Sequence, residues 1–203
     1  MTRVKLCGIT SLEDAQLCAE HNPWAHGLIF VPESRRRVKL SVAAEISAAF
    51  RRQTEIAGVF QNATLDHVAR TAEQAGLSIV QLHGDEGPSY AMEIARRTGA
   101  KVMKAVRVRT REQVVAVRSF HVDFHLLDGP GGGQTFDWSV VRSRRSDVPL
   151  VVAGGLTPDN VGAAIETTRP FAVDVASGVE ASPGVKDPEK VAAFVRAAEG
   201  ALV

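Results

Sequence analysis

The chain alternates between short apolar runs and longer segments in which apolar residues recur every three or four positions. Eight of the runs read as strands: 3–7, 25–30, 55–60, 78–82, 101–106, 122–128, 149–153 and 171–176. They are rich in Val, Ile, Leu and Phe, as strands buried on both faces should be. Between them the period changes to that of a helix. Leu12, Ala15, Cys18 and Ala19 share one face of 11–21. Leu65, Val68, Ala69 and Ala72 do so in 64–75, and Val191, Phe194, Val195 and Ala198 in 187–199. Helix-start signals accompany the pattern. Ser11, Ser41 and Thr64 precede the first three helices, and Pro158 stands early in the helix after the seventh strand.

Strand and helix in strict alternation imply parallel strands with helices outside them. Eight such units predict one single-domain (β/α)₈ TIM barrel over residues 1–203, with its active site at the C-terminal strand ends. The competing architecture is an open doubly wound sheet. No Gly-x-Gly-x-x-Gly follows the first strand, which argues against a dinucleotide site of that fold. No linker or low-complexity tract divides the chain, and Gly129 to Gly133 reads as a mobile loop.

Composition adds limits rather than direction. A chain of 203 residues that is 45% hydrophobic can bury a core without staples. A formal charge of +1 gives no global attraction for nucleic acid, a membrane surface or an acidic partner. Cys7 and Cys18 do not make a disulfide framework. The N-terminus has no signal-peptide apolar region, and no apolar run approaches a membrane span. A reducing, cytoplasmic setting is expected, with no nucleic acid and no membrane among the partners.

Two strand ends carry the chemistry. Lys5-Leu6-Cys7-Gly8-Ile9-Thr10 places a thiol at the end of the first strand, and Leu126-Leu127-Asp128-Gly129 places a carboxyl at the end of the sixth. Alternation along a strand puts Lys5 and Arg3 on the inner face with Cys7, and Val4 and Leu6 against the helices. An inert buried cysteine is the competing reading for Cys7, and a loop cap for Asp128. The apolar strand around Asp128 favours a functional role. Cys18, within a helical apolar face, belongs to the core.

Val152-Ala153-Gly154-Gly155-Leu156 and Asp174-Val175-Ala176-Ser177-Gly178 bring glycines to the ends of the seventh and eighth strands. Gly154, Gly155, Ser177 and Gly178 suit a phosphate site made of backbone N–H groups and a hydroxyl, with ordinary turns as the alternative. Gln81 and His83 share a parity and can hydrogen-bond a substrate at the mouth, or simply pack. In the run Arg35-Arg36-Arg37-Val38-Lys39, a solvated loop competes with one arginine clamping a substrate carboxylate. The run lacks the interleaved aromatics of a nucleic-acid site. Parity turns His125 toward the helices, and His26 lies mid-strand. No His or Cys pair has metal-ligand spacing, so no metal is expected. At the seam of a closed barrel, inward-facing Lys5 and Asp174 should pair, because either alone would be costly to bury.

Taken in order, these segments resemble the phosphoribosylanthranilate isomerase family over nearly the whole chain. The resemblance rests on Lys5-Leu6-Cys7-Gly8-Ile9-Thr10, Ser34-Arg35-Arg36-Arg37-Val38, Gln81-Leu82-His83-Gly84, Leu126-Leu127-Asp128, Phe136-Asp137-Trp138, Ala153-Gly154-Gly155-Leu156, Val173 to Glu180 and Pro183-Gly184-Val185-Lys186-Asp187. It implies a (β/α)₈ enzyme of tryptophan biosynthesis acting on a small phosphoribosyl substrate, as a monomer or homodimer and without a cofactor. It also implies roles: Cys7 as general base, Asp128 as general acid, and Arg36 as the holder of the anthranilate carboxylate. Lys5, two residues before Cys7, is expected to favour the thiolate. Arg35, Gly131-Gly132-Gly133 and Ala176 depart from the family's usual residues. A related histidine-pathway isomerase would carry aspartate at position 7, and a non-catalytic phosphosugar-binding barrel would not need both Cys7 and Asp128.

Overall fold

The computed structural model describes residues 2–201. Eight parallel strands close into a barrel in sequence order: β1 (Arg3–Cys7), β2 (Ala25–Ile29), β3 (Glu55–Phe60), β4 (Ile79–Leu82), β5 (Lys101–Arg107), β6 (Phe124–Asp128), β7 (Leu150–Val152) and β8 (Ala172–Val175). Closure is made by β1 against β8, in a register that pairs Lys5 with Asp174. Helices α1 (Leu12–Ala19), α2 (Leu40–Phe50), α3 (Leu65–Ala75), α4 (Pro88–Thr98), α5 (Arg111–Ala116), α6 (Val161–Thr168) and α7 (Pro188–Gly200) surround it. Each expected strand is present, with ends shifted by at most two residues.

Strand alternation divides the apolar residues into two layers. Ala57, Ile79, Met103, Ala105, Phe124, Leu126, Val151 and Ala172 fill the barrel. Val4, Leu6, Leu28, Ile56, Val80, Leu82 and Val173 face outward and pack with Ile46, Val68, Ile94, Ile165 and Phe194 of the helices. Cys18 is fully buried in that outer layer. The bottom is plugged by Trp24, set edge-on to Phe124 and Phe171 at 5.1 Å between ring centroids.

The caps explain most helix starts. Ser11 accepts from Asp14 N, and Thr64 from His67 N, as their sequence positions suggest. Ser41 does not cap α2. That helix begins one residue earlier, at Leu40, and its cap Lys39 makes no side-chain cap bond. Pro158 is not in a helix either. It lies in a turn closed by Asn160 Oδ1, which accepts from Thr157 N, and α6 starts only at Val161.

The sixth helical slot also differs from the plain alternation. A 3₁₀ segment, Trp138–Arg144, fills it, initiated by Asp137 accepting from Ser139 N. Val141 is its only buried residue, and Arg145 ends it in the left-handed region at φ 42°. A segment with so little apolar face gains little from lengthening into an α-helix. After β8 the chain forms a 3₁₀ turn, Ser177–Val179, and a small hairpin, β9 (Glu180–Ser182) with β10 (Val185–Lys186), that lies over the end of β1.

Candidate active site

The C-terminal strand ends enclose a cavity of about 410 Å³. Its wall brings together Cys7 from β1, Arg36 from the loop after β2, Gln81 and His83 from β4, and Asp128 from β6. Gly154, Gly155 and Ser177 complete it from the loops after β7 and β8. Arg35 and Arg37, the neighbours of Arg36, are exposed and lie outside it.

Cys7 is the last residue of β1 and is 6% exposed. Its thiol lies over Gly27, the partner residue of β2, where an added Cβ would come within 2.5 Å of Sγ. Any side chain at position 27 would displace it. Burial pushes the Cys7 thiol up; the Lys5 ammonium pulls it down, Asp174 pushes it up again, and Lys186 pulls it down. The net direction is upward. Lys5 therefore favours the thiolate as the sequence suggests, but burial outweighs it.

Beneath Cys7, Lys5 is completely buried and its Nζ donates to Asp174 Oδ2 at 2.9 Å. Burial would lower the lysine, but the charges of Asp174 and Cys7 outweigh it, so the ammonium is held above its ordinary value. The pair is the one expected at the seam.

Asp128 caps the inner face above Phe124 and Leu126 and is about one-fifth exposed. His83 Nε2 lies 3.2 Å from Asp128 Oδ2. The approach is poorly aligned, and this buried nitrogen has no hydrogen-bond partner among the described residues. Gln81 is 2% exposed, and its Oε1 is likewise without a partner. Gln81 and His83 thus present polar atoms at the cavity that the protein itself does not satisfy.

Gly154 and Gly155 have φ of 89° and 62°. An added Cβ would lie 2.0 Å from Gly129 N at the first and 2.6 Å from Gly133 O at the second. These glycines let the loops after β6 and β7 touch, and they form the cavity wall as a result. Gly178 sits apart from the wall. Its missing Cβ makes room for the Leu156 carbonyl, 1.9 Å from where that atom would be. Of the glycine-loop residues expected at the phosphate site, Gly154, Gly155 and Ser177 face the cavity, and Gly178 packs behind it.

Arg36 is held in a way the sequence alone does not reveal. Its Nε donates to Glu180 Oε1 at 2.8 Å and its Nη2 to Oε2 at 2.7 Å. Glu180 would be raised by burial, but the Arg36 hydrogen bonds and the Lys186 charge hold it below its ordinary value. Arg107 is a further cavity residue missed in the sequence. Its parity with inward-facing Met103 and Ala105 on β5 was the available signal. The remaining histidines take no part. His125 faces outward, with Nε2 2.9 Å from Phe120 O, and His26 is fully buried against the edge of Phe50.

Comparison with known proteins agrees in sequence and in structure. A family model described as N-(5'phosphoribosyl)anthranilate (PRA) isomerase matches residues 4–197. The N-(5'-phosphoribosyl)anthranilate isomerase of Citrifermentans bemidjiense is 44% identical over 205 residues, covering 98% of each chain. The crystal structure of phosphoribosyl anthranilate isomerase from Thermus thermophilus superposes with a TM-score of 0.90 at 34% identity, over 97% of this chain and 98% of that one. A phosphoribosyl anthranilate isomerase in complex with reduced 1-(o-carboxyphenylamino)-1-deoxyribulose 5-phosphate does so with 0.88 at 40% identity, over 98% of this chain and 100% of that one.

Proposed function

The chain belongs to the N-(5'-phosphoribosyl)anthranilate isomerase family, and on that premise we propose that Cys7 and Asp128 are the base and acid of its reaction. The protein is an isomerase of tryptophan biosynthesis, converting N-(5-phosphoribosyl)anthranilate to 1-(2-carboxyphenylamino)-1-deoxyribulose 5-phosphate. The observation that carries the assignment of roles is the meeting of Cys7, Asp128 and Arg36 on one cavity wall.

Asp128, protonated, gives its proton to the ribose ring oxygen. The C1–O bond breaks, and the ring opens to an iminium conjugated with the anthranilate ring. Cys7, as thiolate, removes the proton from ribose C2, and the electron pair of that C–H bond flows into the iminium. The resulting enolamine relaxes to the aminoketone. The iminium serves as electron sink, so the scheme needs no cofactor or metal. A positioned acid or base of this kind contributes about 10²–10⁴-fold each.

Arg36 would receive the anthranilate carboxylate, and Gln81 and His83 the sugar hydroxyls. Gly154, Gly155 and Ser177 would receive the phosphate, with backbone N–H groups as donors. On this reading the chain is a single-domain barrel, described over residues 2–201, that works in the cytoplasm as a monomer or homodimer. Among the described residues no helix is long and apolar enough to cross a membrane.

The test is a fluorescence assay on freshly prepared N-(5-phosphoribosyl)anthranilate, in which turnover extinguishes the substrate's fluorescence. Catalysed decay above the spontaneous rate is expected. Its absence, or faster turnover of the aminoimidazole substrate of the histidine-pathway reaction, would overturn the assignment.

A further inference from the structure

Glu180 opens β9 and its side chain is only 4% exposed, yet it does not line the cavity. Its carboxylate is committed to the Nε and Nη2 edge of Arg36, at 2.8 and 2.7 Å. Lys186, across the same hairpin, sits 3.4 Å from Glu180 Oε1, and its Nζ donates to the Cys7 carbonyl at 2.6 Å. The stem of Arg36 crosses Gly8, where an added Cβ would lie 2.7 Å from Arg36 Cδ. Gly8 also has φ of 77°, so this position suits glycine twice over. The guanidinium is thus fixed at one edge by a buried carboxylate and along its stem by the backbone after Cys7. What it retains for another oxygen anion is the Nη1/Nη2 edge, on a side chain that lines the cavity.

We propose that Glu180 is a positioning residue: it holds the Arg36 guanidinium so that its remaining edge meets the substrate carboxylate, and it thereby sets selectivity for an acidic aromatic amine without touching the substrate. The inference rests on the reading of Arg36 as the carboxylate clamp. An arginine on a flexible stem recognises a carboxylate bidentately only when its plane is set, and a second fork on the far edge sets it. The hairpin links this to catalysis, because Lys186 braces both Glu180 and the backbone of the base.

The experiment compares two inhibitors by competition: the reduced product, 1-(2-carboxyphenylamino)-1-deoxyribitol 5-phosphate, and its analogue lacking the ring carboxylate. Glu180→Gln should weaken the first on the order of tenfold, as loss of a charge-assisted hydrogen bond does, and leave the second unchanged. Glu180→Asp, which keeps the charge on a shorter arm, should shift the same ratio by less. Combining Glu180→Gln with Arg36→Lys should cost no more discrimination than Arg36→Lys alone. Equal weakening of both inhibitors by Glu180→Gln and Glu180→Asp would mean a merely structural role and overturn the proposal. So would unchanged selectivity in both while Arg36→Lys still loses it. If Arg36→Lys keeps full selectivity for the carboxylated inhibitor, the clamp itself is misassigned and both readings fall.

Discussion

Lys5 Nζ stands 2.9 Å from Asp174 Oδ2 across the seam where β1 meets β8, one inward-facing layer beneath Cys7. The ammonium is completely buried and the aspartate nearly so. Each charge is tolerable there only because of the other. Lys5→Met should therefore cost about 3–5 kcal/mol of unfolding free energy by stranding Asp174. Replacing both residues with apolar ones of similar volume should recover much of that loss. Urea unfolding of the two single variants and the double variant checks it. Additive losses in the double variant would show that the two residues stabilise the barrel independently.

His26 is fully buried, and neither ring nitrogen has a hydrogen-bond partner among the described residues. Burial lowers it from 6.5 to about 4. The folded state thus keeps the ring neutral in a range where the unfolded chain takes up a proton, and stability must fall as pH drops through that range. Between about pH 7 and about pH 5 this one residue should cost roughly 2 kcal/mol. His26→Leu should remove that part of the acid sensitivity whatever it does to stability at neutral pH. Unfolding curves at the two pH values measure it. An unchanged pH dependence in the variant would show that the acid sensitivity resides elsewhere.

Of three successive arginines, only Arg36 faces the cavity. Arg36→Lys keeps the charge and loses the planar fork, both toward the substrate carboxylate and toward Glu180. It should raise KM by about 10- to 100-fold, the weight of a charge-assisted bidentate contact. Arg37→Lys, on an exposed side chain, should change KM by less than about twofold. Steady-state kinetics of both variants decides the matter, and equal effects at the two positions would contradict the assignment.

The strands and their inner faces are legible in the sequence because period-two alternation and apolar composition both follow from burial on two sides. That parity alone places Cys7 above Lys5 and turns His125 outward. The helix ends are less legible. Ser41 looks like a cap, but the chain enters α2 from buried Val38, whose N–H donates to Ile29 O, so the helix already begins at exposed Leu40 and this tertiary anchor overrides the capping preference. The segment after β6 reads as part of the same alternation, although only Val141 gives it a buried face. Within the site, the sequence points to the residues that bear chemistry and misses those that hold them. Glu180 is 144 positions from Arg36, and no local pattern announces such a fork. Gly27 is as silent, since its importance is the space it leaves for a thiol on the neighbouring strand.

The central claim is that Cys7 removes the proton from ribose C2. Single-turnover kinetics of Cys7→Ala, with enzyme in excess over N-(5-phosphoribosyl)anthranilate, tests it most directly, because product release is taken out of the measured rate. The expected result is a fall in the chemical step of about 10²–10⁴-fold, with the fold and the affinity for phosphate little changed. Isomerisation by Cys7→Ala at close to the wild-type rate would show that the thiol is not the base.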